Sequence, residues 1–533
     1  MKSSHRLKRL ALWTSLAFFL LFSGASATAD EFSYLPLSEV TRGMSGYGRT
    51  VFYGTTIENF AIEVMDVVRA ERVEESYFVI QVVDERLRQL GGISAGMSGS
   101  PIYLEGEIAG ALSYSWETRD NLIGIVTPIE AMMQLWDRPR ETTLVQANPY
   151  SNLLMLGFDG RGQELIRRHS SFKSLLALPR LFLGRPETQE TGELEPGSAV
   201  GIQLISGDVD VVSIGTLTAL DGDRFLAFGH PFLHRGSANY ILTSMFVNFS
   251  IKGKDYPFKV GSPIEPVGIV DEDRTAGISG RLNIFPLTTK STVVVGKEAE
   301  GSTRKFNFDI VQDEKIIVEF MPGVILDSID RVLDSQIPGS SRVTVAIEAG
   351  NELFFNEFFW ASQLDIASLA TNNLGKILEI YFLNPFVPVV AEKVDIQIVI
   401  TPEVREAIFQ SLSLPSEVKR GEVLEGTVDI HLHRKGTRSI DFTVPVPFDF
   451  LPGETDVTIR GLAGGVIAPT AAVDFQTFLE DRLNEIKTNG FLVELSSKGD
   501  VYGYEDSRTF YSHRVSLPFV MNGSYSGSIL VRE

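Results

Sequence analysis

Residues 91–102 read GGISAGMSGSPI, and this glycine-rich stretch decides the predicted fold. Ser98 lies between glycines, so its hydroxyl can be exposed on a tight turn where the backbone comes close to a substrate carbonyl. We expect the backbone amides of Gly96 and Ser98 to point into one concavity and to stabilise an oxyanion there. Two apolar strands joined by a turn at residues 105–106 follow directly, and this pattern predicts a β-hairpin.

The segments beyond the hairpin extend the pattern. Residues 124–129 predict a further strand, and a threonine followed by a proline at 127–128 predicts the start of a helix that continues to residue 136. A Gly-x-Ser-Gly-x-Pro turn, a hairpin, a last strand and a C-terminal helix in this order resemble the second barrel of chymotrypsin-like serine proteases. Residues 43–46 repeat the tetrapeptide GMSG, but no Ser-Pro and no hairpin follow, so we interpret them as a structural turn.

A serine nucleophile needs a general base, and the chain has seven histidines among which to find it. It has no cysteine, which excludes a cysteine nucleophile, disulfides and thiolate metal sites. His230 lies in the segment FLAFGHPF at residues 225–232, where an apolar strand ends and the chain turns. His234 ranks second, because the charge of adjacent Arg235 disfavours its protonation during catalysis. We therefore predict His230 as the base, and a histidine that only forms hydrogen bonds in a loop is the alternative.

Two motifs together resemble the SpoIVB-type sporulation serine peptidases and their bacterial relatives. One is the serine stretch at residues 91–102, and the other combines GTLT at 215–218 with AFGH at 227–230. The segment RGMSGYG at 42–48 also fits exported relatives. The resemblance covers residues 32–290 and implies a serine endopeptidase with the chymotrypsin-like double β-barrel.

The same resemblance implies roles for individual residues. Ser98 would be the nucleophile and His230 the base. The acid would precede the serine by a short distance, where Asp84 is the best positional match, with Asp221 and Asp223 as rivals. In the sporulation enzymes the histidine precedes the serine, whereas here it follows. Catalytic triads are defined by geometry and tolerate either order.

Length and composition exclude several other classes. The 533 residues are 44% hydrophobic and 22% charged, which is the profile of a globular chain with several domains. The formal net charge of −20 disfavours nucleic acid as a partner. His431 and His433 alternate with Asp429 along one strand, but a polar strand face explains the same alternation. We predict neither a metal site nor a cofactor.

The first 29 residues read as a secretory signal peptide, with basic residues before an apolar run and small residues before Asp30. We expect cleavage after Ala29, with Ala27 as the second choice. No later apolar run is long enough to span a membrane. The mature chain is therefore expected in the periplasm or the extracellular space, without a stable membrane span.

The rest of the chain is predicted to be mainly β. We divide it into a SpoIVB-like peptidase domain at residues 30–300, a β-rich domain with a helix at 301–394, a β-sandwich-like domain at 395–465 and a C-terminal α+β segment at 466–533. Further predicted features are helices at 164–178, 363–381 and 473–487, an Asp-Gly hairpin at 211–229 and an exposed connector at 184–197.

These observations favour an exported serine endopeptidase that hydrolyses protein or peptide substrates through an acyl-enzyme on Ser98, in regulatory or envelope-associated proteolysis. The competing hypothesis is a non-catalytic envelope protein that keeps the peptidase-like barrel as a binding scaffold, since fold alone does not define function. A carbohydrate-processing enzyme is disfavoured because no pair of carboxylates stands out beside aromatic residues. Envelope protein partners are expected to bind the β-rich C-terminal half.

Overall fold

The computed structural model describes residues 32–116, 118, 120–137, 153–158, 160–172, 175–178, 192–253, 256–463, 472–498 and 508–533. The predicted signal peptide lies outside the described residues, as does most of the predicted connector.

The first unit is a closed barrel of six antiparallel strands, which neighbour one another in the order β1-β2-β3-β6-β5-β4. Buried and partly exposed side chains alternate along its strands. In the third strand Phe78, Ile80 and Val82 are buried in the barrel core, and the residues between them are partly exposed. The elements are β1 (Ser45–Val51), β2 (Ile57–Val68), β3 (Tyr77–Val82), α1 (Glu85–Leu90), β4 (Pro101–Leu104), β5 (Glu107–Ser115), β6 (Ile123–Pro128) and α2 (Ile129–Asp137).

A second ring of six strands follows. Its first strand is hydrogen-bonded to the second strand on one side and to the fourth on the other. The fourth strand pairs with the fifth, the fifth with the sixth and the sixth with the third. The third strand pairs with the second, which closes the ring. The elements from the end of the first barrel through this ring are β7 (Leu153–Leu156), α3 (Gly160–His169), β8 (Leu175–Leu178), β9 (Ala199–Gly207), β10 (Asp210–Asp221), β11 (Arg224–Ala227), β12 (Gly236–Ile251), β13 (Phe258–Arg274) and β14 (Gly277–Leu282). Strands β9 to β14 form the second barrel.

Both barrels follow the same circular strand order. Numbered from its own first strand, the second barrel also runs 1-2-3-6-5-4, which confirms the predicted double barrel. The predicted Asp-Gly hairpin is present as β10 and β11, where Asp221 pairs with Arg224. Gly222 supplies the positive φ of 62° that this tight turn requires.

The barrels pack through their loops and through the helix α2. Met132 and Leu135 of α2 share an apolar cluster with Leu226 of the second barrel. The long hairpin of β12 and β13 reaches across to the first barrel, where isolated bridges join Gly54 to Val247 and Ala95 to Phe258. The junction between the barrels is thus tied together by both apolar packing and backbone hydrogen bonds.

The second barrel continues into a sheet of 13 strands, because β9 also pairs with β16 and β10 also pairs with β7. The added elements are β15 (Thr288–Lys297), β16 (Thr303–Val311), α4 (Glu314–Leu333), β17 (Gly339–Ala349), β18 (Glu352–Ser362), α5 (Ile366–Phe382) and β19 (Lys393–Thr401). Helices α4 and α5 pack on each other and share the largest apolar core with the sheet.

Two helices differ from the sequence prediction. The helix predicted at residues 164–178 is α3, which ends at His169, and residues 175–178 instead form β8 beside β7. Helix α4 was not predicted. Its residues are buried around most of the circumference and Pro322 lies inside it, so the sequence lacks the one-sided apolar spacing of a surface helix.

The C-terminal region forms an eight-stranded sheet with the order β21-β27-β24-β25-β26-β20-β22-β23. Its parts fold onto one apolar core, where the rings of Phe442 and Phe491 meet edge to face at 5.7 Å. The elements are β20 (Glu406–Ser413), β21 (Glu417–Lys419), β22 (Val423–Leu432), β23 (Gly436–Pro445), β24 (Gly453–Gly461), α6 (Phe475–Ile486), β25 (Asn489–Lys498), β26 (Arg508–Asn522) and β27 (Ser524–Arg532).

The predicted domain boundaries fall differently on these elements. The boundary between residues 394 and 395 lies inside β19, which belongs to the larger sheet. Residues 466–533 supply β25 to β27 to the same sheet as the predicted sandwich. The division into domains stays a prediction. Among the helices that the structure describes, none is both long and apolar enough to cross a membrane.

Candidate active site

The predicted nucleophile lies on the loop between α1 and β4, at residues 91–100, which we call the serine loop. Gly96 and Gly99 have φ values of 96° and 93°, a conformation that residues with a Cβ rarely adopt. Ser98 is half-buried, and its hydroxyl donates to the carbonyl of Ser113 on β5 at 3.4 Å. The glycines therefore hold the serine on a sharp turn with its hydroxyl at the surface of the barrel.

The amides of the serine loop divide into two groups. Those of Ala95, Met97, Gly99 and Ser100 all donate to backbone carbonyls, at 2.7 to 2.9 Å. Those of Gly96 and Ser98 donate to no acceptor among the described residues. These are the two amides that the sequence predicts for the oxyanion hole.

Each free amide is aimed by the carbonyl of its own peptide group, because carbonyl and amide point in opposite directions across a trans peptide. The carbonyl of Ala95 accepts from the amide of Lys259 at 2.9 Å, which fixes the peptide that carries the Gly96 amide. The carbonyl of Met97 accepts from the amide and the hydroxyl of Ser100, at 2.9 and 2.7 Å. Both donors are thus oriented before any ligand arrives.

The predicted base follows β11 on a turn with positive φ at Phe228 and Gly229, both 68°. His230 is only 4% exposed. Its Nδ1 lies 2.8 Å from the carbonyl of Pro231. A carbonyl can only accept, so Nδ1 carries the proton and the lone pair of the neutral ring is on Nε2. Burial lowers the pKa of His230 to about 4, so the ring is neutral at physiological pH.

The structure packs the serine loop against the turn that carries the histidine. A Cβ on Gly99 would overlap the amide nitrogen of Phe228, so only glycine allows this approach. The carbonyl of Ser98 accepts from the amide of Thr216 at 2.7 Å. The hydroxyl of Thr127 donates to the carbonyl of Gly229 at 2.7 Å.

Strand β5 contacts both predicted residues. Its Tyr114 ring stacks on the His230 ring with 5.2 Å between centroids, while the carbonyl of the preceding Ser113 accepts from the hydroxyl of Ser98. Among the described residues, neither Nε2 of His230 nor the Ser98 hydroxyl bonds to the other. The two groups flank one stretch of β5 without a hydrogen bond between them.

The predicted acid is placed elsewhere. Asp84 caps helix α1, with its carboxylate accepting from the amides of Arg86 and Leu87 at 2.9 and 3.2 Å. Asp84 comes two residues after Val82, whose amide donates to the carbonyl of Leu122, the residue just before β6. The histidine turn contacts Thr127, near the other end of that strand. Five residues of strand separate these ends by about 16 Å. The structure does not bring Asp84 to His230, and its role as the acid stays a prediction.

The rival acids and histidines have other partners. Asp221 pairs with Arg224 in the hairpin turn, and His234 contacts the hydroxyl of Thr275 at 3.2 Å. Asp429 accepts from the hydroxyls of Ser411 and Ser439, and these bonds lower its pKa. No group of three metal-ligating side chains is found in the part of the chain that the structure describes.

The sequence does not predict two buried charged residues that lie beside the site, Asp273 and Lys259. Asp273 on β13 accepts from the amides of Phe232 and Leu233, both at 2.7 Å, and so fixes the chain that follows the histidine. Burial raises the pKa of the Asp273 carboxyl, against the effect of these bonds. Lys259, also on β13, is buried against the serine loop. No motif marks either residue, because their roles depend on contacts between distant segments.

The chain has the chymotrypsin-like double-barrel fold, with a glycine-framed serine on a loop of the first barrel and a turn histidine on the second. The model of the SpoIVB peptidase S55 family matches residues 32–133, a segment that contains the whole first barrel and Ser98 but not His230. No curated protein and no solved structure gave a significant match to the chain. The match supports assignment to the SpoIVB-type serine peptidases, and serine peptidase function at the level of that family.

Proposed function

We propose that this protein is a serine endopeptidase that cleaves protein substrates through an acyl-enzyme on Ser98. One observation carries the proposal: the amides of Gly96 and Ser98 lack acceptors, while their neighbours in the loop are all satisfied. Backbone donors are rarely left unpaired away from water without a purpose. Two oriented donors beside a serine hydroxyl are what a tetrahedral oxyanion requires.

The proposed reaction uses these groups in four steps. The Ser98 hydroxyl leaves the carbonyl of Ser113 and attacks the scissile carbonyl carbon, while its proton passes to Nε2 of His230. The carbonyl oxygen becomes an anion and is bound by the amides of Gly96 and Ser98. His230 then returns the proton to the leaving amine, which departs as the acyl-enzyme forms. Water repeats the cycle, and the acid product leaves with Ser98 restored.

His230 works with an orienting carbonyl in this scheme. The Pro231 carbonyl fixes the tautomer that leaves Nε2 free to accept the proton. No carboxylate contacts the ring among the described residues, so the imidazolium gains little stabilisation from the protein. Burial lowers the pKa of His230, which keeps the base unprotonated down to acidic pH and makes it a weaker proton acceptor.

The cellular setting is part of the proposal. We infer export to the periplasm or extracellular space from the signal-like N-terminus, and regulatory or envelope-associated proteolysis from the resemblance to sporulation peptidases. The eight-stranded C-terminal sheet is the proposed contact for envelope protein partners.

A second candidate is a non-catalytic binding protein that retains the double barrel. The buried state of His230 and the missing hydrogen bond to Ser98 favour it, because a nucleophile needs its base within reach. In this case the free amides of the serine loop would bind a carbonyl or carboxylate of a ligand without reaction.

Fluorophosphonate labelling of the purified protein distinguishes the serine peptidase from the non-catalytic binding protein. We expect the parent to be labelled at Ser98 and Ser98→Ala to be unlabelled. Ser45→Ala is the matched control, since Ser45 lies in the same tetrapeptide GMSG on the same barrel and should leave labelling unchanged. Equal labelling of the parent and Ser98→Ala would remove Ser98 as the nucleophile, and a parent that stays unlabelled would favour the binding protein.

A further inference from the structure

Lys259 is a buried cation at the junction of the two barrels. It lies near the start of β13, is 2% exposed, and its Nζ donates to the hydroxyl of Thr50 on β1 at 2.7 Å. Among the described residues it has no carboxylate partner. A buried lysine without a counter-ion costs stability, and such residues concentrate at functional sites.

Lys259 contacts the serine loop directly in two ways. Its backbone amide donates to the carbonyl of Ala95, which orients the peptide that carries the Gly96 amide. Its aliphatic chain covers Gly96, where an added Cβ would lie 3.1 to 3.3 Å from three Lys259 carbons. The residue therefore supports the peptide that we assign to the oxyanion hole.

The amine acts on the same loop through two hydroxyls. Thr50 and Thr216 have their hydroxyl oxygens 3.5 Å apart, and Thr216 donates to the carbonyl of Gly96 at 3.3 Å. A hydroxyl has a single proton, so Thr216 must accept from Thr50, which itself accepts from the amine of Lys259. All donors in this chain point from Lys259 to Gly96, and hydrogen bonds aligned in one direction strengthen one another.

We propose that Lys259 is a positioning residue that holds the serine loop with the amides of Gly96 and Ser98 free, and that its positive charge strengthens this arrangement through Thr50 and Thr216. The positioning role of Lys259 rests on its contacts with the serine loop alone. The consequence for catalysis rests on the proposed peptidase function.

Burial lowers the pKa of Lys259 to about 7, so the amine changes charge near neutral pH. Among the described residues, Lys259 contacts the hydroxyl of Thr50 on β1 and Ala95 and Gly96 of the serine loop, and Thr216 on β10 lies behind Thr50. None of these groups titrates near neutral pH, and in the described part of the chain no charged group contacts the amine. Below this pKa the ammonium is a charge-assisted donor to the chain, and above it the donor is weaker. Labelling of Ser98 should therefore fall as the pH rises through about 7.

Lys259→Met keeps the aliphatic chain and removes the amine, and Lys252→Met is its matched control. Lys252 lies on the same hairpin and covers Gly91 of the same loop, but it is exposed. Two readouts serve the test: amide hydrogen exchange of residues 91–100 in the full chain, and the rate of fluorophosphonate labelling between about pH 6 and pH 9.

For Lys259→Met we expect exchange of the serine loop to rise about tenfold and labelling at pH 6 to fall by at least about tenfold, the loss that follows removal of one charge-assisted hydrogen bond. The decline of labelling above pH 7 should disappear. Lys252→Met should match the parent in both readouts. The thermal midpoint of Lys259→Met should stay level or rise, because a buried unpaired charge is gone.

Exchange and labelling equal to those of Lys252→Met would overturn the proposal. A lower thermal midpoint with exchange raised uniformly across both barrels would overturn it too, since Lys259 would then be a general structural residue. If the parent shows no labelling that depends on Ser98, the peptidase function fails instead. Faster exchange confined to the loop then upholds the positioning role, and unchanged exchange overturns it.

Thr50→Val provides the second variant in case Lys259→Met does not fold. It removes the hydroxyl that joins the amine to Thr216 and keeps nearly the same shape. We expect the same rise in loop exchange and the same loss of labelling. Parental behaviour in both readouts would show that the chain of hydroxyls does not support the loop, which also overturns the proposal.

Discussion

The two barrels share one strand order, yet they hold the predicted nucleophile and the predicted base in opposite ways. The first barrel closes on itself and carries Ser98 half-exposed on a loop of glycines. The second barrel merges into a sheet of 13 strands and carries His230 almost fully buried on a single strained turn. One barrel presents the predicted nucleophile, and the other encloses the predicted base.

The two residues also differ in the contacts that hold them in place. The family match spans residues 32–133, which include the first barrel and the serine loop but not the histidine turn. The histidine turn is held from outside its own segment, by Asp273 on β13 and by Thr127 on β6. A site assembled in this way depends on close contact between the barrels, and that dependence can be tested.

We expect the largest effect on labelling from the replacement of His230. We expect His230→Ala to reduce the rate of labelling of Ser98 about 1,000-fold, within the range of a lost general base. The measurement is the rate of fluorophosphonate labelling, with circular dichroism to confirm folding. His234→Ala is the control, because His234 contacts Thr275 and not the serine loop. If both variants label at the parental rate, the second barrel does not contribute the base.

The contact between the barrels should be the next most sensitive feature. Gly99→Ala places a Cβ in the carbonyl of Thr216 and the amide of Phe228, and we expect a loss of about 3 kcal/mol or more in the free energy of unfolding. Gly106→Ala is a close control, since Gly106 has a φ of 90° against 93° but nothing within 4 Å.

Urea denaturation should show a loss of only about 1–2 kcal/mol for Gly106→Ala, from backbone strain without a collision. Equal losses in the two variants would mean that the serine loop and the histidine turn do not depend on their contact.

A smaller effect should appear in the pH dependence of stability. The folded state holds the pKa of His230 at about 4, below the ordinary value near 6.5 in an unfolded chain. Between these values the unfolded state binds a proton that the folded state does not, so stability falls as the pH decreases. From about pH 7.5 to pH 5 the parent should lose about 2 kcal/mol more than His230→Ala in urea denaturation. The same loss in both proteins would contradict the buried, neutral histidine.

Asp84 should give the smallest effect on the reaction. Asn caps a helix as well as Asp does, so Asp84→Asn should fold and label like the parent if the carboxylate only caps α1. Asp84→Ala removes the cap and should cost about 1 kcal/mol of stability. A loss of labelling in Asp84→Asn of about 10,000-fold with folding intact would instead establish Asp84 as the triad acid.

Much of the first barrel could be predicted from the sequence. The serine turn, the hairpin of β4 and β5 and the helix α2 are local features, and each carries its own signal in glycine, proline or alternating apolar residues. The motif also singled out the amides of Gly96 and Ser98, which have no acceptor among the described residues and which we propose for the oxyanion hole. Positive φ at Gly96 and Gly99 is a property of the loop itself.

The rest depended on contacts between distant segments. Helix α4 is buried on nearly all sides, so its apolar residues lack helical periodicity. Asp84 is the best positional match for an acid before the serine. It lies between the end of β3 and the start of α1, where its carboxylate caps the helix. Asp273 and Lys259 lie near opposite ends of the long strand β13, and only the packing of the barrels reveals what they support.

The central claim is that Ser98 and the amides of Gly96 and Ser98 form one reaction centre beside His230. Its most direct test is a crystal structure of the protein phosphonylated by a fluorophosphonate. We predict phosphorus bonded to the Ser98 oxygen and the phosphoryl oxygen about 2.7–3.1 Å from both amides, with Nε2 of His230 facing the adduct. A phosphoryl oxygen turned away from these amides, or an adduct on another serine, would contradict the account.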